Sequence, residues 1–150
     1  MPTTKAKGLE ELFSDTLKDI YYAEKQILRA LPKMAKSASS GELSEAFEKH
    51  RQETEGHVER LEQIFEAMGK PARGKTCDAI VGILEEGKEI MEDYAGDSAL
   101  DAGLAASAQA VEHYEIARYA AHSFASLCRA SRLGSLRAIA ATAIVNSTRS

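Results

Sequence analysis

Residues 39–71 read SSGELSEAFEKHRQETEGHVERLEQIFEAMGKP. Within them Leu43, Phe47, His50, Thr54, His57, Leu61, Ile64 and Met68 recur at alternating spacings of four and three. That repeat keeps one stripe of an α-helix turned toward a neighbour. It predicts a helix from about Glu42 to Met68. Ser39, Ser40 and Gly41 form a tight turn ahead of it, and Gly69-Lys70-Pro71 follows with a terminating glycine and a proline that cannot continue the helix. So short a turn requires the preceding segment to run antiparallel beside this one.

Upstream, the preceding segment has the matching pattern. Leu9, Phe13, Leu17, Ile20, Ile27, Leu31 and Met34 predict a helix from about Leu9 to Ala38, with Pro32 inside it removing one backbone hydrogen bond and favouring a bend. Downstream, Ile80, Ile83, Leu84, Ile90 and Met91 predict a shorter helix from about Asp78 to Tyr94. Gly96-Asp97-Ser98 breaks it, and Asp97 or Ser98 can cap a long helix from about Ala99 to Leu127, whose seam holds Leu104, Ala108, Val111, Glu115, Arg118 and His122. Gly134 sets off a last short helix with Leu136, Ile139, Ala143 and Ile144. The expected class is therefore all-α in one domain spanning 1–150, with residues 1–8 as an N-terminal extension. Two long antiparallel helices, a connection containing a short helix, and a further long helix suit a four-helix bundle with a crossover, the ferritin-like arrangement.

Composition agrees. The chain has 150 residues, enough for one core, with 44% hydrophobic and 28% charged residues, which excludes a disordered class. It has 3 prolines and no tryptophan. The first residues lack the apolar run of a secretory signal, and no segment is long and apolar enough to span a bilayer. Cys77 and Cys128 are too few for a disulfide framework and read as free thiols in a reducing compartment, so a cytoplasmic location is expected. All 23 acids lie at or before Glu115. Residues 116–150 carry +5 from arginines alone, and residues 1–115 carry −9, giving the net −4. Five scattered arginines without interleaved aromatics do not make a nucleic-acid surface, so neither nucleic acid nor membrane is an expected partner.

Polar residues on a seam need a reason, because the seam leaves water. Glu24 is bracketed by Ile20, Ile27 and Leu28. Glu53 lies three residues after His50 and four before His57, so the three share a side of the second helix. Glu112 and Glu115 are one turn apart over the stripe of the later long helix. Each alone reads as a solvated rim residue or a hydrogen-bonded core residue. Together, four carboxylates facing one interior would repel unless a cation neutralised them. Oxygen donors with one or two imidazoles suit iron or manganese better than a closed thiolate zinc site.

Four stretches carry a resemblance. They are Asp19-Ile20-Tyr21-Tyr22-Ala23-Glu24-Lys25-Gln26-Ile27, Leu31-Pro32-Lys33-Met34-Ala35, His50 to Leu61 with Glu53-Thr54, and above all Gln109-Ala110-Val111-Glu112-His113-Tyr114-Glu115-Ile116-Ala117-Arg118-Tyr119. From Leu9 to Tyr119 the chain resembles the YciE/YciF family of ferritin-like, rubrerythrin-related stress-response proteins. The resemblance implies a dimeric helical bundle with a metal site inferred from the superfamily; the first expectation for function is a di-metal carboxylate protein, binding iron or manganese, that oxidises iron or handles peroxides. It implies Glu24, Glu53, Glu112 and Glu115 as carboxylate ligands and His57 as the imidazole, although His57 follows Glu53 by four residues where the superfamily more often has three. The family's last helix is acid-rich, whereas here the end of the chain is not, so residues 129–150 read as a diverged or frame-shifted segment. Either the fourth wall lacks ligands, or His50 or His122 substitutes, and fewer than two irons per chain are expected. The alternative is a non-catalytic helical stress protein acting through homodimerisation or partner binding, with a vestigial site.

Overall fold

The computed structural model describes residues 8–133, with side chains up to Ser123. It contains four helices among these residues and no strand: α1 (Leu9–Ser37), α2 (Gly41–Ala67), α3 (Asp78–Asp93) and α4 (Leu100–Leu133). The expected final helix after Gly134 and the extension before Gly8 lie outside the described residues. No described helix is long and apolar enough to cross a membrane.

Each helix begins and ends where its local chemistry directs. At the start of α1 the Gly8 amide donates to Glu11 Oε2 at 3.0 Å, and Glu10 and Glu11 sit in the first turn, where the helix dipole favours acids. The helix runs unbroken through Pro32. Ser40 caps α2, its hydroxyl accepting from the Leu43 amide at 3.4 Å. Gly69 ends α2 with φ of 65°, while the Gly69 and Lys70 amides donate to the Glu66 and Phe65 carbonyls at 2.8 and 3.0 Å. This paired closure needs a left-handed residue, which glycine adopts without strain. Of the two candidate caps before α4, Asp97 acts: its Oδ1 accepts from the Ala99 amide at 2.8 Å. α4 runs past the expected end near Leu127 to Leu133, because no helix breaker occurs before Gly134.

α1 is the central element, packed against α2, α4 and α3, and α3 also packs along α4. The α1–α2 pairing is the one the short turn predicts. Contacts of Phe13 with His122 and of Ser39 with Asp101 show that α4 also runs antiparallel to α1. The loop after α2 returns along α1, with the Lys75 amide donating to the Lys18 carbonyl at 3.2 Å. The core forms two apolar clusters. One gathers Ile27, Leu31, Met34, Phe47, Ile80, Leu104 and Val111. The other gathers Phe13, Leu17, Ile20, Val58, Leu61, Phe65 and Tyr119. Along α2 and α4 the switch from one cluster to the other falls at polar residues, the run His50–Thr54–His57 and Glu115, and on α1 Glu24 lies just past it.

Candidate metal centre

Glu24 stands on α1 between Ile20 and Ile27, both part of the buried stripe, and is only 1% exposed. Tyr119, one turn beyond Glu115 on α4, donates its hydroxyl to Glu24 Oε1 at 2.5 Å. Burial first, and then the charge of Glu24, push the Tyr119 phenol far above its ordinary range, so it stays protonated and acts as the donor. From α2, His57 Nδ1 lies 3.4 Å from Glu24 Oε1 and 3.8 Å from Glu115 Oε1. The His57 ring meets Tyr119 edge-on at 5.7 Å. Two turns earlier on α2, His50 Nε2 approaches the other oxygen of the second acid, Glu115 Oε2, at 3.3 Å.

Burial raises the Glu115 carboxyl above its ordinary value, and the contact with His50 opposes that shift. The same contact raises His50, against the lowering effect of its own burial. Three buried atoms of the group have no hydrogen-bond partner: Glu24 Oε2, Glu115 Oε1 and His57 Nδ1. Leaving such groups unpaired away from water costs about 1–3 kcal/mol each, more when charged. One ligand atom from each of Glu24, His57 and Glu115 lies within 4.8 Å of the others. Two carboxylate oxygens and an imidazole nitrogen, drawn from three helices, are a donor set that fits iron or manganese. On this observation the residues fit the expected metal.

Of the four carboxylates expected to converge, Glu24 and Glu115 are buried together, whereas Glu53 and Glu112 are exposed. Glu53 is exposed and pairs with Lys49 at 3.9 Å on the surface. Glu112 is exposed as well, near enough to His50 only to influence its charge. Both miss the interior for the same reason. The buried line of α2 runs through Phe47, Thr54 and Leu61, and Glu53 is turned about 100° from Thr54. Glu112 is likewise turned about 60° from Glu115, away from Val111. His122 is buried near the start of α1, stacked on Phe13 at 4.2 Å, and is not one of the three converging residues.

Tyr119 and Thr54 were not singled out from the sequence. A signal existed for both: Tyr119 follows Glu115 by four residues on the same face, and Thr54 sits at the centre of the α2 seam. Thr54 is fully buried and donates its hydroxyl to the His50 carbonyl at 2.8 Å.

Residues 8–142 match the family described as a domain of unknown function, DUF892. The chain is 43% identical to protein YciF of Escherichia coli strain K12 over 114 residues, which is 75% of this chain and 69% of that protein. YcfI from Rhodopseudomonas palustris superposes with a TM-score of 0.84 at 39% identity, covering 97% of this chain and 91% of that one. The crystal structure of the E. coli stress protein YciF superposes with a TM-score of 0.76 at 40% identity, covering 86% of this chain and 79% of that one.

Proposed function

The chain belongs to the DUF892 family, and on that footing we propose that it is a ferritin-like stress-response protein whose interior binds iron or manganese through Glu24, His57 and Glu115. The observation that carries the proposal is that Glu24, His57 and Glu115 bring one ligand atom each within 4.8 Å of the others between α1, α2 and α4, and that each also has a buried atom without a hydrogen bond. When bound, the metal would supply redox change or Lewis acidity for iron oxidation or peroxide handling. The protein's own residues prepare the place. Glu24 and Glu115 provide the negative charge, and His57 accepts the ion on Nδ1, which requires its proton to sit on Nε2. The apolar clusters on either side keep bulk water out and strengthen each electrostatic contact. In this reading the protein works as a homodimer, as the family resemblance implies.

Metal content tests the reading. Protein purified without chelator is expected to carry iron or manganese by elemental analysis. Metal-free protein should unfold at a higher temperature when Fe(II) or Mn(II) is added anaerobically, by about 2.7 kcal/mol of stabilisation at one hundred times the Kd. Glu115→Ala should abolish that gain, while Glu53→Ala on the surface should keep most of it. A wild type that retains no metal and shows no stabilisation leaves the alternative, a helical stress protein that acts by dimerisation or partner binding.

A further inference from the structure

Each of the two buried carboxylates has one oxygen already engaged. Tyr119 occupies Glu24 Oε1, and His50 occupies Glu115 Oε2. One oxygen of each, together with His57 Nδ1, is buried without a hydrogen-bond partner, and His57 Nδ1 lies 3.8 Å from Glu115 Oε1. One ligand atom from each of Glu24, His57 and Glu115 lies within 4.8 Å of the others, a set of three donors for one ion. Two-ion carboxylate bundles draw on four glutamates and two histidines. Among the described residues the centre gathers only Glu24, His57 and Glu115 in this way. Residues 116–150 hold no aspartate or glutamate, and Glu53 and Glu112 are exposed. At the inward position beside Glu53 the chain has Thr54, whose hydroxyl is turned to its own helix.

We propose that the centre takes one divalent cation per chain, and that Tyr119 and His50 are positioning residues that hold it to one by engaging an oxygen of Glu24 and of Glu115. This rests on the reading that the centre binds a cation at all, and the experiment separates the two. Metal-free full-length chain is titrated with Mn(II) without oxygen and followed by calorimetry and electron paramagnetic resonance. The expected result is one Mn(II) per chain with the spectrum of an isolated ion. Tyr119→Phe should bind about 10–100-fold more weakly and alter the zero-field splitting of bound Mn(II). Its metal-free thermal unfolding should remain one cooperative transition. His50→Ala should also weaken binding, and His50→Gln, which keeps a side-chain donor, should restore much of it. If Tyr119→Phe does not fold, the His50 pair decides. Two Mn(II) per chain, or a spin-coupled pair, overturns the one-ion claim. Wild-type affinity and spectrum in the variants overturn the positioning roles. A wild type that binds no Mn(II) overturns the metal reading beneath both.

Discussion

His122 is 3% exposed, stacked on Phe13, with its Nδ1 3.5 Å from the Thr16 hydroxyl. Burial pushes its imidazole down to about 4 from an ordinary 6.5. The native state therefore holds fewer protons there than the unfolded chain. Its contribution to stability is complete above pH 6.5 and is lost as pH falls toward 4, a difference of about 3 kcal/mol. His50 and Glu115 work in the opposite direction, since both are raised, the first by its contact with Glu115 and the second by burial. Their contributions are complete below 6.5 and 4.5 respectively, and each is lost as pH rises through the raised value. For metal-free protein, urea unfolding from pH 4 to 8 should show His122→Gln losing less stability than wild type on the acid side. It should also show a decline above pH 6.5 that His50→Gln lacks. A wild-type minus His122→Gln difference that stays flat between pH 4 and 7 would count against this assignment.

At the scale of elements, the turn between α1 and α2 is held from a distance. Asp101, in the first turn of α4, accepts from the Ser39 and Ser40 amides at 2.7 and 2.8 Å. The Ser44 hydroxyl adds a bond to the Ala35 carbonyl at 2.9 Å. Asp101 thus ties three helices together at one end and satisfies two amides that the turn leaves without helical partners. Asp101→Ala should cost about 1–2 kcal/mol in chemical unfolding, and Asp101→Asn less, because one oxygen acceptor remains. Hydrogen exchange at Ser39 and Ser40 should accelerate in Asp101→Ala, and unchanged protection there would show that the clamp contributes little. At the other side of α4, Gly103 lets α3 come close, since a Cβ there would lie 2.6 Å from Ile90 Cγ2.

For the whole molecule, the question is what covers its outer faces. Ile116 on α4 is 61% exposed and Leu12 on α1 is 55% exposed, so apolar side chains remain outside both core clusters. Single exposed apolar residues are ordinary in monomers, so the proposal of a homodimer rests on the family resemblance and needs its own measurement. Light scattering at micromolar concentration should give twice the 16.3 kDa chain mass. A lone 16.3 kDa species would contradict it.

What the sequence determined by itself is the order of α1 to α4 and their ends apart from that of α4, because those follow from local chemistry. The four-and-three spacing from Leu43 to Met68, the serine before α2 and the glycine after it are each legible within a few residues. Glu24, His57 and Glu115 were legible too, since each lies against apolar neighbours on its own stripe. Only the tertiary structure decided that Glu53 and Glu112 face solvent. A helical period orders residues around one axis, but which sector is buried depends on where the neighbouring helices cross. Here they cross over Thr54 on α2 and Val111 on α4, leaving both acids outside. The Tyr119–Glu24 bond joins residues 95 positions apart, and Asp101 reaches a turn 61 and 62 positions away. Such pairs arise only when helices dock, because a side chain's partner across an interface is set by the packing of two elements and by the sequence of neither alone.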